Sequence, residues 1–313
     1  MSSIIEILKP GLFTTIQDLG RPGFQKYGVS VSGAMDFFSH RIANWLVGNE
    51  ERAATLECTI LGPSIRFLRD ATIAITGADL SPRVDGAEIA MWQSHVVKQG
   101  STLGFGECRL GCRAYVALAG GVEVPRVLGS RSTHTRTRLG GYEGRSLKKG
   151  DALSFCVGIG ISSCSRRFQS PFCEKLLTSR TLRFLIGPND NQFEPESIRA
   201  FQRDPYRVST QSDRMGIRFE GKALIHRGHA ETVSDAVPFG TIQVPSNGRP
   251  IVLAADRQTT GGYPKIGVVI TADFPVLAQL RPGDEVRFHS INIEESLDIL
   301  RSMEKALLGG CVP

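Results

Sequence analysis

The chain has 313 residues, 41% hydrophobic and 22% charged, a balance that excludes a disordered protein and suits a folded chain of two domains. Its net charge of +6 is spread from Arg21 to Arg301 without an aromatic-interleaved basic motif, which argues against a nucleic-acid binder and fits either a solvated basic surface or attraction of anionic ligands such as nucleotide or carboxylate. No apolar run approaches a membrane span, and Met1–Pro10, carrying Glu6 and Lys9, is not a signal peptide, so a cytoplasmic protein is expected.

Along the chain, the first strong element is a helix opened by Ser32-Gly33-Ala34-Met35-Asp36. Phe38, Ile42 and Trp45/Leu46 share one face, and Gly48 ends it. Short β-branched runs separated by glycine turns dominate elsewhere: Ala71–Thr76, Ala114–Ala119, Leu182–Ile186, Thr241–Val244, Ile251–Ala254 and Val268–Thr271. A short helix is expected from Pro195 to Gln202. A longer one runs from Glu294 to Leu308, where Leu297, Leu300, Met303 and Leu307 recur at helical spacing before Gly309-Gly310. The fold class is therefore mainly β with a few helices (α+β).

Leu147–Phe155 and Leu280–Phe288 share the form Leu-x-x-Gly-Asp-x-aliphatic-x-Phe. A Gly-Asp turn followed by an alternating strand, occurring twice, suggests two related β-rich units. The Ser-, Cys- and Arg-rich stretch Cys156–Ser179 is the natural seam, giving domains at residues 1–165 and 175–292 with a C-terminal helix and tail at 293–313. Seven scattered cysteines without a Cys-x-x-Cys pair point to reduced thiols. Cys108 and Cys112 read as buried or edge thiols, and His226/His229 as a surface turn without the acid of a zinc helix, so no resident metal site is expected.

The stretch Gly240–Gly267 carries the densest chemistry. Strand-like Thr241–Val244 and Ile251–Ala255 carry or flank Gln243 and Asn247 and precede Asp256, Arg257, Gln258, Thr259, Thr260, Gly261, Gly262, Tyr263 and Lys265. A connecting loop needs one turn signal, not this density of donors, acceptors and glycines, so the stretch reads as a wall of a small-molecule site. Other Asp/Arg turns are Gln17–Arg21 (Asp18, Arg21), Ser32–Asp36, Gly129–Thr133 (Arg131, Thr133) and Ser212–Gly216 (Asp213, Arg214), each of which, taken alone, reads first as a pair that pins a loop. Arginine offers a planar fork for carboxylate or phosphate, and aspartate can act as acid, base or Mg²⁺ ligand. The chain lacks a phosphate loop, a kinase signature, a nucleophile elbow and a biotin-bearing Met-Lys-Met.

Thr15–Arg21, Val31–Asp36, Ala43–Asn49, Gly129–Thr133, Ser212–Gly216 and Gly240–Gly267 follow one another in an order that resembles the KipA-like family, also called allophanate hydrolase subunit 2, which includes the C subunit of 5-oxoprolinase. The resemblance runs from about Gly11 to Phe288. It implies a cyclophilin-like β-barrel in the C-terminal half and a KipI-like protein as partner. With a lactam-utilisation protein as third member, these would form an enzyme that uses ATP with Mg²⁺, shared with the partner, to open 5-oxoproline to glutamate. Asp213, Arg214, Asp256, Gln258 and Lys265 would then be catalytic. Arg131, Thr133, Arg257, Thr259, Thr260, Gly261, Gly262 and Tyr263 would bind substrate or nucleotide, while Asp18, Arg21 and Asp36 would mark an interface or second site. Two alternatives follow from the same resemblance: a regulatory antagonist that binds a KipI-like histidine-kinase inhibitor, and the carboxyltransferase half of a urea carboxylase-type system.

Overall fold

The computed structural model describes residues 4–155 and 165–312. The chain divides into two compact units. The first comprises Met1–Arg21, Ser32–Thr178 and Ala306–Pro313, and the second Pro22–Val31 and Ser179–Lys305. Five α-helices are present among the described residues: α1 (Phe37–Leu46), α2 (Pro171–Thr178), α3 (Pro195–Arg203), α4 (Phe274–Gln279) and α5 (Ile293–Gly309).

In the first unit, two antiparallel sheets share one apolar core. The five-stranded sheet runs Phe13–Gln17, Thr55–Thr59, Leu110–Leu118, Ala71–Asp79 and Ser94–Val97 in spatial order. The other sheet has seven strands, with Ile5–Lys9 between Ala152–Phe155 and Ser64–Phe67. Ile5, Ile7, Ile65 and Phe67 from one sheet meet Ile16, Leu56, Ile73, Ile75 and Val116 from the other. Helix α1 packs on Ala71–Asp79 and Leu110–Leu118, and Thr76 Oγ1 donates to the Ser39 carbonyl at 2.7 Å. Covered on both faces, these central strands are continuously buried rather than alternating.

The helix expected from Ser32 begins later. Asp36 is its N-cap, accepting from the backbone N–H of Ser39 at 2.9 Å. The preceding residues stay non-helical because their N–H groups already have tertiary acceptors. Met35 N donates to Glu57 at 2.9 Å and Asp36 N to Tyr115 Oη at 2.8 Å.

The second unit is a closed seven-stranded barrel. Its order is Thr181–Ile186, Lys265–Val269, Thr241–Gln243, Ile251–Leu253, Gly216–Glu220, Tyr206–Val208 and Glu285–Ser290. Thr181–Ile186 and Glu285–Ser290 close it as a parallel pair, the others being antiparallel. Phe201 of α3 stacks on Phe288 at 4.3 Å, and Phe184 and Phe219 meet the same group edge-on. The expected run Val268–Thr271 is instead the end of Lys265–Val269, and Thr271–Asp273 is a 3₁₀ turn.

The two Leu-x-x-Gly-Asp segments adopt one turn. Gly150 and Gly283 have φ of 88° and 91°, in the left-handed region. Asp151 accepts from Lys148 N at 2.7 Å and Asp284 from Arg281 N at 2.9 Å. Each turn leads into a strand, Ala152–Phe155 in one unit and Glu285–Ser290 in the other. Cys58, Cys108, Cys112 and Cys173 are free thiols, and burial pushes Cys58 and Cys173 up to about 12. Cys156 and Cys164, with the start of the expected seam at residues 156–164, lie outside the described residues, while the rest of the seam carries the strand Arg167–Phe168 and helix α2. No helix among the described residues is long and apolar enough to cross a membrane.

Candidate functional site

In the barrel unit, the strand register sorts the Gly240–Gly267 stretch onto two faces. Ile242 pairs with Val252 and Gly267, on the face that fills the barrel. Gln243 pairs with Ile251 and, across a bulge, with Lys265, which places these side chains on the other face. That face is covered by the segment after Asp256. Gln243 donates to the Tyr263 carbonyl at 3.3 Å and accepts from Gln258 Nε2 at 3.4 Å. A side chain on Gly261 would come within 2.5 Å of Gln243 Nε2. Gly261 is therefore glycine because a buried side-chain amide approaches its backbone.

Lys265, the strand partner of Gln243, is buried, with only 6% of its surface exposed, and its side chain has no ion pair among the described residues. A buried cation without an anion is costly unless a ligand supplies one. Two glutamines and a lysine together can hold a neutral amide or lactam by its N–H and C=O groups and an attached carboxylate or phosphoryl group by its charge.

Arg214 and Asp256 are brought together as a buried bidentate pair, Nε to Oδ2 at 2.9 Å and Nη2 to Oδ1 at 3.1 Å. The backbone reinforces it, Asp256 N donating to the Arg214 carbonyl at 2.8 Å. Asp213 is exposed and closes a turn, accepting from Met215 N at 2.8 Å and Gly216 N at 3.2 Å. Arg257 donates to the carbonyls of Val237 at 2.9 Å and Ala254 at 3.2 Å, and burial brings its guanidinium down to about 10. It stays a cation at neutral pH. Thr260 and Gly261 pair with Asp235–Ala236, and Thr259 O and Gly262 O accept from Val237 N and Thr232 N, so residues 232–237 brace this part of the cover.

The donor set does not suit a self-contained Mg²⁺ site. Both oxygens of Asp256 face Arg214, one oxygen of Asp213 is taken by backbone N–H groups, and no group of three His, Cys, Asp or Glu side chains converges among the described residues.

The remaining predicted residues lie in the first unit. Asp18 is buried and accepts from Gly20 N at 2.8 Å, Ser130 Oγ at 2.6 Å and Arg131 N at 2.6 Å, and also from Ser132 Oγ. Arg21 donates to the carbonyls of Ser132 and Val127. Thr133 Oγ1 donates to the Ile16 carbonyl at 2.9 Å. These side chains tie residues 127–133 to the strand Phe13–Gln17 and the turn after it. Asp36 joins a separate buried network in which Tyr115 Oη donates to Glu57 at 2.7 Å and burial, with Glu57 and Asp36 nearby, raises the Tyr115 phenol well above its ordinary value.

Sequence reading missed Glu57, Tyr115 and His40, and named Gln243 among the polar groups of Gly240–Gly267 without giving it a role. Gln243 and Glu57 were visible as polar residues inside apolar strand runs, a pattern that marks a buried partner.

Residues 27–290 match the carboxyltransferase domain, subdomain A and B. The chain belongs to this family. It is 39% identical over 302 residues to the 5-oxoprolinase C subunit of Escherichia coli K12, covering 96% of each chain. It is 35% identical to urea amidolyase of Saccharomyces cerevisiae over 97% of its own length but 17% of that protein. The K. lactis urea amidolyase structure superposes with a TM-score of 0.88 at 31% identity, covering 98% of this chain and 20% of that one. This carboxyltransferase-family chain thus spans nearly the whole of the bacterial relative and about a fifth of the urea amidolyase structure.

Proposed function

We propose that the protein is the C subunit of an ATP-dependent 5-oxoprolinase, which opens the lactam of 5-oxoproline to glutamate together with a KipI-like protein and a lactam-utilisation protein. The observation that carries this reading is the end-to-end match with the E. coli 5-oxoprolinase protein, 39% identical over 96% of both chains.

The cluster beside the barrel suits such a substrate. A lactam carbonyl is a poor electrophile, so its oxygen needs activation, which ATP supplies by phosphoryl transfer when bound. The chain's own groups would position and neutralise. Gln243 and Gln258 would hydrogen-bond the ring amide. Lys265 would meet the negative charge of the substrate carboxylate or of the developing phosphoryl ester. The Arg214–Asp256 pair would fix the start of the covering segment, a positioning role, and residues Thr259–Tyr263 would exclude water. No step is assigned to a metal ion on this chain.

A second reading, carboxyl transfer to an amide as in a urea carboxylase, is supported by the family profile and by the urea amidolyase relatives. Co-expression with the KipI-like and lactam-utilisation proteins, followed by an assay of 5-oxoproline-dependent ADP and glutamate formation, separates the readings. Turnover that requires all three proteins, and that falls at least about a hundredfold in Lys265→Met, is the expected result. A stable complex without turnover would remove the 5-oxoprolinase reading and favour carboxyl transfer or the regulatory role.

A further inference from the structure

The first unit holds a cavity of about 340 Å³ that the lactam chemistry does not use. Arg52, Arg126 and Arg131 line it, with Asn49, Gly120 and Gly121 at its walls. Glu50 is the one acidic residue on its lining. None of the three arginines has an ion pair among the described residues; the Arg131 Nε–H donates to the Val124 carbonyl at 3.0 Å. The lining therefore carries an excess of two positive charges.

The walls are held rigid by buried polar side chains from α1 and the turn after it. Asn49 Nδ2 donates to the Leu118 carbonyl at 2.9 Å, while its Oδ1 accepts from Gly120 N at 2.7 Å. Asn44 Nδ2 donates to the Ala53 carbonyl at 2.8 Å. His40 Nε2 lies 3.1 Å from the Glu51 carbonyl and 3.3 Å from Asn44 Nδ2, while Nδ1 meets Thr55 Oγ1 at 2.9 Å. Val122 N completes the seam on the Ala54 carbonyl at 3.0 Å. Gly121, at φ 69°, packs so closely that a side chain would sit 2.9 Å from the Ala53 Cβ. Asp18 fixes the Arg131 backbone from the other side. These buried groups fix the backbone walls of the concavity, on whose rim Arg52 and Arg126 are exposed and Arg131 half-buried.

We propose that this cavity binds a small organic anion, through a carboxylate or phosphate group held by the forks of Arg52, Arg126 and Arg131. Its volume lies at the lower end of ligand pockets and leaves room for a short carbon body as well as the charged group. The proposal stands on this geometry alone and is independent of the 5-oxoprolinase reading, because its readout is binding and not turnover.

The test is calorimetric titration of the full chain at low ionic strength with succinate, with glycerol phosphate and with neutral succinamide. Saturable binding of at least one of the two anions, and none of succinamide, is expected, and the tighter anion identifies the charged group. Arg52→Gln and Arg126→Gln, both at exposed positions, should each weaken it at least about tenfold. Lys149→Gln, which removes an exposed charge away from the cavity, should leave it unchanged. Absence of saturable binding by both anions, or an equal loss in Lys149→Gln, would overturn the proposal.

Discussion

Arg214 and Asp256 show what a buried ion pair means for a single residue. Each is more than nine-tenths buried, and their bidentate bonds leave neither charge exposed to solvent. Removing one partner strands the other. Arg214→Gln is expected to cost about 3–5 kcal/mol in urea unfolding, while the double change Arg214→Met with Asp256→Leu should recover most of that loss. If the single variant unfolds like the parent, the pair does not stabilise the barrel. His40 offers a pH-dependent counterpart. Burial lowers its folded value from 6.5 to about 4, opposed by the weaker influence of Asp18, Glu57 and Glu51. Between those values the unfolded chain binds a proton that the folded chain refuses. Stability is therefore full above pH 6.5 and is lost as pH falls toward 4, by about 3 kcal/mol across the window. Chemical denaturation at pH 7, 5.5 and 4.5 measures the slope, and His40→Gln should flatten it. At this scale the sequence disclosed that Asp256 and Arg214 belonged to chemically dense turns. That they face each other, 42 positions apart, could not be read from either turn.

Elements were legible where local periodicity and tertiary demand agree. The helices expected at Pro195–Gln202 and Glu294–Leu308 appear as α3 and α5, because their apolar spacing and end signals are local properties. The start of α1 is not a local property, because the acceptors for Met35 and Asp36 come from Glu57 and Tyr115, on distant strands. Glycines divide in the same way. Gly267 was one more small residue in an apolar run, yet in the barrel a Cβ there would lie 2.4 Å from Phe184 Cδ2 and 2.7 Å from the Leu185 carbonyl. Gly267→Ala should destabilise by about 2–3 kcal/mol through overpacking. Gly104, also in a strand, has nothing within 4 Å of where an added methyl would sit, so Gly104→Ala should be close to neutral. Paired denaturation curves decide this, and equal effects would contradict the packing argument.

At the scale of the molecule, chain order and spatial order part company. Pro22–Val31 belongs with the barrel, although it lies between two pieces of the first unit, and Ala306–Pro313 returns to the first unit after the barrel is complete. Cys311–Val312 pairs with Arg167–Phe168, and Gln169 N donates to the Gly310 carbonyl at 3.0 Å. Truncation after Gly309 should therefore raise amide exchange in Arg167–Phe168 while leaving that of Thr181–Ile186 and Lys265–Val269 unchanged. Faster exchange in the barrel strands would show that the tail supports the second unit instead.

The sequence by itself determined the β-rich class, the repeated Gly-Asp turn, the two terminal-half helices and the concentration of polar chemistry in Gly240–Gly267, since each is written in residues a few positions apart. Tertiary structure alone decided which of those polar residues are engaged by the fold and which stay available. Asp256 is taken by Arg214 and Asp18 by the 130–132 loop, whereas Lys265 lies beside Gln243 with no counter-charge among the described residues. The physical reason is that a charge's partner is set by strand register and loop closure, which join residues tens to more than a hundred positions apart.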